Sequence, residues 1–218
     1  MHTKRIASGG QKGIKWTATP KGPHRKDSCK TLTSILKELG FADNSREAKS
    51  IVVRGNILVD GVIRKDQNYG AGLMDVVSIP MMKKSVRIVP GKNGLELKEV
   101  SDKDVKVKLC RVIGKRLLAK GAVQISLHDG VALLTDKKVS VGETVVVEIP
   151  SRKIRDILPY GKGCAAVVVS GRHRGKQGQI KEITPGTAAR ASLTTIDDTQ
   201  TLTEYVFVIG KDKPQVEL

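Results

Sequence analysis

Aromatic residues are scarce in this chain of 218 residues: Trp16, Phe41, Tyr69, Tyr160, Tyr205 and Phe207 are all there are. Reading unstacked bases takes clusters of exposed rings, so contact through phosphates, sugars and nucleic-acid shape is the better fit. Cysteine is as thin. Cys29, Cys110 and Cys164 lie far apart, are odd in number and form no C-x-x-C pair. That argues against a disulfide framework or a cysteine-built zinc site and fits a reducing cytoplasm. No run of about 18 uncharged apolar residues occurs, so no membrane-spanning helix is expected. Met1-His2-Thr3-Lys4-Arg5 has no apolar run behind it, so no secretory signal is expected. The four histidines, His2, His24, His128 and His173, are scattered, and neither H-E-x-x-H nor EF-hand spacing is present. No metal, cofactor or small-molecule substrate is therefore expected. Acid is missing before Asp27.

What is present is positive charge. The chain holds 39 Lys and Arg against 22 Asp and Glu, a formal net charge of +17. Such an excess marks a protein that meets a polyanion, with nucleic acid the first candidate. The excess is densest in residues 1–30, where eight basic residues face one acid. This arm carries Lys4-Arg5, Lys12, Lys15-Trp16, Lys21 and His24-Arg25-Lys26 among glycines, with almost no apolar periodicity. It reads as an interaction tail rather than a packed element. A lipid surface would ask for an amphipathic helix with bulky apolar residues, and Ile6, Ile14 and Trp16 broken by glycines do not supply one.

Residues 31–84 read as a small αα-β unit. Leu32, Ile35, Leu36 and Leu39 follow helical spacing up to Gly40. A second helix begins near Asn44, where Asn44 and Glu47 resemble a capping box and Ala48, Ile51 and Val52 form the buried stripe. Asp60-Gly61 between Ile57-Leu58-Val59 and Val62-Ile63 signals a hairpin, and Asp75–Ile79 a third strand. From about residue 85 the period changes to two: Leu95/Leu97, Val105/Val107/Leu109, Val123/Ile125/Leu127 and Val145–Val147 suggest a central antiparallel β domain over 85–158. Residues 159–218 restart with Cys164–Val169 and show five short strands, the pattern of a small barrel.

Two motifs carry chemistry. The helix starting at Asn44 sets Arg46 and Lys49 on one face, and the following turn adds Arg54. The arrangement resembles the αα-β RNA-binding fold shared by a bacterial small-subunit ribosomal protein, pseudouridine synthases and tyrosyl-tRNA synthetases. The second motif is Gly171-x3-Gly175-x2-Gly178-x-Ile180 after an apolar strand, with Arg172, His173, Arg174 and Lys176 on the loop. It resembles the KOW motif of SH3-like barrels in ribosomal and transcription-elongation proteins. It is not a Walker loop, since no Ser or Thr follows Lys176 and a β run, not a helix, comes next. For catalysis, His128-Asp129-Gly130 is the one base–carboxylate pair in sequence; no nucleophile accompanies it, and a turn explains it as well.

Taken end to end, the chain resembles the S-four-e family of archaeal and eukaryotic small-subunit ribosomal proteins, in its archaeal form. The resemblance rests on His2 with Lys4-Arg5, Gly22-Pro23-His24, Val59-Asp60-Gly61, Gly72-Leu73-Met74-Asp75-Val76, Lys108-Leu109-Cys110-Arg111-Val112, His128-Asp129-Gly130, the Gly171–Ile180 loop, and Phe207–Lys211 before Pro214. It implies an extended basic N-terminal arm (1–30), an RNA-binding αα-β domain, a central β domain and a C-terminal KOW barrel, docked on small-subunit ribosomal RNA beside neighbouring ribosomal proteins. It implies no enzyme. The expected RNA contacts are Lys4, Arg5, Lys12, Lys15, Trp16, Lys21, His24, Arg25 and Lys26 of the arm, then Arg46, Lys49 and Arg54, then Arg172, His173, Arg174 and Lys176. Two rivals are a KOW-bearing transcription-elongation factor, which needs neither the arm nor the αα-β unit, and an RNA-modifying enzyme, which needs an Asp, Cys or His in a clear catalytic constellation that the two small β domains do not show.

Overall fold

The computed structural model describes residues 18–101, 104–118, 121–188 and 190–216. Strand β1 (Cys29–Thr31) leads directly into helix α1 (Leu32–Glu38), whose first turn is capped by the Thr31 hydroxyl accepting from the Ser34 N–H at 3.3 Å. Helix α2 (Ser45–Val53) follows. Strands β2 (Leu58–Val59) and β3 (Val62–Ile63) form the expected hairpin, with both Asp60 and Gly61 at positive φ, as a tight two-residue turn requires. Strand β4 (Gly70–Gly72) pairs with β1, and β5 (Val76–Ile79) pairs with both β2 and β6 (Lys84–Gly91). Strand β7 (Gly94–Glu99) completes an antiparallel sheet of order β3-β2-β5-β6-β7. Leu32, Ile35 and Leu36 of α1 and Ala48 and Val52 of α2 pack with Val59, Val77, Val86, Ile88 and Leu95 of this sheet into one buried core.

Two further five-stranded sheets follow. The first has the order β10-β9-β8-β11-β12, from β8 (Val107–Leu117), β9 (Val123–Leu127), β10 (Ala132–Thr135), β11 (Thr144–Glu148) and β12 (Ile154–Leu158). Cys110, Val112, Ile125, Leu127, Val145 and Val147 are its core. The second has the order β16-β15-β14-β13-β17, from β13 (Ala165–Val168), β14 (Gln177–Thr184), β15 (Leu193–Ile196), β16 (Thr199–Leu202) and β17 (Val206–Gly210). All three cysteines are buried, and no disulfide joins them. The class is α+β and mostly antiparallel, with two short α-helices among the described residues.

The chain divides into two compact units. Of the described residues, one takes those up to Val89 with those of Asn93–Lys108 and Ile149–Ser151; the other takes Pro90–Lys92, those of Leu109–Glu148 and those from Arg152 on. Residues 85–99, read from their period as the start of the central domain, thus extend the sheet under the two helices. Val86 and Ile88 are buried against α1 and α2, and hydrophobic alternation alone does not say which core a strand feeds.

Candidate nucleic-acid interface

Helix α2 is built to present charge. Asn44 Oδ1 accepts from the backbone N–H of Arg46 (3.0 Å) and Glu47 (2.9 Å), and Glu47 Oε2 accepts from the Asp43 N–H at 3.0 Å. This reciprocal cap fixes the first turn, and the buried stripe of Ala48 and Val52 fixes the helix's rotation. Arg46 and Lys49 are therefore held on the solvent side, with Arg54 just past the last turn, all exposed. None of the three forms an ion pair with a described carboxylate, so no described acid competes with an outside anion for them.

The hairpin beyond adds cations that sequence reasoning missed. Arg64 stacks over the Tyr69 ring, 4.4 Å from its centroid, and Lys65 is exposed beside Gly55. The signal was the Arg64-Lys65 pair directly after Ile63. Tyr69 is half-buried, and burial pushes its hydroxyl pKa up, so it stays neutral and serves as the platform on which Arg64 rests.

The N-terminal expectations divide in two. Lys4, Arg5, Lys12, Lys15 and Trp16 lie outside the described residues. Lys21, Arg25 and Lys26 are exposed. Lys21 stands 3.8 Å from Asp66 and Arg25 2.9 Å from Asp27; such exposed pairs are worth little. His24 is a correction. Its side chain is 5 % exposed and its Nε2 lies 2.8 Å from Asp75 Oδ2, so it faces the protein interior, not solvent. Its exposed basic neighbours suggested otherwise, because the partner that buries it is 51 residues away.

In the second unit, the loop after β13 carries Arg172 and His173, both exposed. Gly171 and Gly175 both have positive φ, and a Cβ on Gly175 would stand 3.2 Å from the Pro90 carbonyl oxygen, so the loop lies close against the turn at 90–92. Arg174 is half-buried, and its Nε and Nη1 have no hydrogen-bond partner among the described residues. Lys176 is exposed, and its ammonium donates to the Thr199 hydroxyl.

His128-Asp129-Gly130 is a turn. Asp129 is buried, and its Oδ1 accepts from the Val131 N–H at 2.9 Å while the Cys110 thiol donates to its Oδ2. His128 Nδ1 accepts from the Arg111 N–H at 3.2 Å, and its ring meets Phe207 edge-on at 5.3 Å. Both groups are spent on holding β8 and β9 together. Among the described residues no three His, Cys, Asp or Glu gather to hold a metal, and no helix is long and apolar enough to cross a membrane.

Comparison with known proteins agrees with this geometry. The family model described as "Ribosomal family S4e" matches residues 82–154, and the "S4 domain" model matches 32–77, the stretch that holds α1, α2 and the hairpin. "Small ribosomal subunit protein eS4" of Methanocella arvoryzae is 34% identical over 227 residues, covering 99% of this chain and 97% of the relative. The protein of the same name from Archaeoglobus fulgidus is 35% identical, covering 100% of this chain and 98% of its own length. That from Methanothermobacter thermautotrophicus is 37% identical, with 95% and 89% covered. The crystal structure of the 30S ribosomal protein S4e from Thermoplasma acidophilum superposes with a TM-score of 0.76 at 30% identity, covering 85% of this chain and 97% of that one.

Proposed function

The chain belongs to the ribosomal S4e family, and from that premise we propose that it is a structural, non-catalytic constituent of the small ribosomal subunit. Its partners are small-subunit ribosomal RNA and the neighbouring proteins of the subunit, and it works in the cytoplasm as part of the translating ribosome. The observation that carries the reading is the S4 domain's basic face: Arg46, Lys49 and Arg54 stand exposed on and beside a capped helix with no described carboxylate paired to them, in a chain that aligns end to end with proteins named for the small subunit.

The mechanism is charge neutralisation. Each phosphate engaged by Lys or Arg releases condensed counterions, and arginine adds two-pronged hydrogen bonds to phosphate oxygens. Residues 1–30 act as a basic arm carrying Lys4, Arg5, Lys12, Lys15, Trp16, Lys21, Arg25 and Lys26 along the RNA backbone. Residues 159–218 act as a KOW-type SH3-like barrel whose loop offers Arg172, His173, Arg174 and Lys176. Five antiparallel strands with a glycine-rich basic loop between β13 and β14 support the barrel reading.

Sucrose-gradient sedimentation of native lysate, at low and at high salt, tests the proposal. The chain is expected to travel with the small subunit at low salt and to be retained or partly stripped at high salt. Recovery only in light fractions, or with RNA polymerase, overturns it.

A further inference from the structure

Between Lys21 and Ser28 the sequence offers no aliphatic or aromatic side chain that could hold it to a core, and seven of these eight residues are exposed or half-buried. His24 is the exception. Its ring fills the space above Gly72 so closely that a Cβ there would come within 2.8 Å of the ring's Cγ and nearer still to Nδ1. Its Nε2 lies 2.8 Å from Asp75 Oδ2, which also accepts from the Gly72 N–H at 3.0 Å. Asp75 Oδ1 is 2.6 Å from Lys108 Nζ, and that ammonium is 2.6 Å from Asp60 Oδ2 as well. Asp60 Oδ1 in turn accepts from the Val76 N–H at 3.0 Å. One histidine, one lysine and two aspartates so form a continuous network, with His24, Asp75 and Lys108 buried.

The same stretch of chain receives the segment on both sides of His24. The Lys21 N–H donates to the Asn68 carbonyl (2.8 Å), the Gly70 N–H donates to the Lys21 carbonyl (2.6 Å), and Cys29 pairs with Gly72 as β1 meets β4. Buried charge networks stabilise a fold poorly compared with apolar packing, but they specify position, because each group has few alternative partners.

We propose that the His24–Asp75–Lys108–Asp60 network is a positioning device for RNA binding: it clamps the segment that carries Lys21, Arg25 and Lys26 onto the S4 domain, so that these three cations meet phosphates from preset places. The proposal rests on reading Lys21, Arg25 and Lys26 as RNA contacts. His24 touches no RNA in it; it acts through the backbone it anchors. Pre-organisation raises affinity by removing the cost of ordering the backbone at the moment of binding, and holding a segment of several residues in one conformation removes enough of that cost for about a tenfold effect or more.

The test measures binding of the full chain to a transcribed archaeal small-subunit ribosomal RNA, for the parent and for variants that melt as folded proteins. His24→Ala is expected to bind about tenfold more weakly. Gly72→Ala, which displaces the ring without changing any charge, is expected to show the same loss. His24→Gln, whose amide can still donate to Asp75, is expected to bind within about twofold of the parent. The decisive arm combines His24→Ala with Lys21→Gln, Arg25→Gln and Lys26→Gln: in that background the His24 change should cost nothing further, because nothing is left to position. Parental binding by folded His24→Ala and Gly72→Ala overturns the proposal, and so does an undiminished His24→Ala loss in the combined variant. Parental binding by the triple Gln variant alone refutes the underlying reading of the three cations instead. On the unmutated protein, amide hydrogen exchange decides without any variant: the Lys21 and Gly70 amides should be protected, and exchange there at unfolded-chain rates overturns the clamp.

Discussion

At the scale of single residues, Asp60 and Asp75 share one ammonium yet are driven in opposite directions. Burial alone would push the Asp75 carboxyl up, but Lys108 and His24 outweigh it and hold it well below the usual carboxylate range. Burial and repulsion from Asp75 push Asp60 up to about 6, against the attraction of Lys108. Asp75, lowered, contributes stability present above its unfolded value and lost as pH falls toward its folded one. Asp60, raised, holds its proton more tightly folded than unfolded, so its contribution is favourable at low pH and is lost as pH rises through about 6. Asp60→Asn removes that penalty, which grows from about pH 4 and is largest at neutral pH. Its melting temperature relative to the parent should therefore fall between pH 7 and pH 5, by about 1–2 kcal/mol of stability or several degrees. A difference that stays flat or grows over that range contradicts the assignment. Asp75→Asn, by contrast, leaves Lys108 and His24 facing a neutral amide, and should cost about 3 kcal/mol at neutral pH.

At the scale of elements, α2 joins stability and binding in a way that can be separated. Asn44→Ala removes the acceptor for two backbone amides and should lower stability by about 1 kcal/mol, read from thermal or denaturant unfolding. Arg46→Gln, Lys49→Gln and Arg54→Gln together should leave stability within about 0.5 kcal/mol per site, since the side chains are exposed and have no described ion-pair partner. The same triple change should weaken RNA binding and flatten its salt dependence; an unchanged salt slope would remove this face from the interface. Both the cap and the face were legible in the sequence, because Asn44 caps the amides of Arg46 and Glu47 two and three residues on, and Arg46 and Lys49 lie three residues apart on one helix. The Asp60-Gly61 hairpin and the five strands after residue 160 were legible for the same local reason. His24 was not, since only a partner at position 75 turns a basic-segment histidine into a buried one. Nor was the sheet to which Lys84–Glu99 belongs, because a strand's period reports that one face is buried and not what buries it. The tethering of Lys176 to Thr199 is likewise a contact between distant strands that no spacing records.

At the scale of the whole molecule, the charge of +17 is a statement about salt. A protein that neutralises six to ten phosphates loses roughly three to five orders of magnitude in affinity between 50 and 200 mM salt. The cations proposed here sit in three places: the segment before β1, the α2 face and the loop after β13. If all three engage one RNA, each raises the effective concentration of the others, so affinity and salt slope report different things. The slope counts phosphates; the affinity also counts how well the modules are held together. Replacing Lys4, Arg5, Lys12 and Lys15 with Gln should lower the magnitude of the log–log salt slope by about 3, at roughly 0.7–0.9 per phosphate, while leaving the melting temperature of the free protein where it was. A lowered melting temperature would mean that these residues help hold the fold. An unchanged slope would mean that the densest charge in the chain is solubilising rather than RNA-bound, and that the S4 domain and the glycine-rich loop carry the attachment.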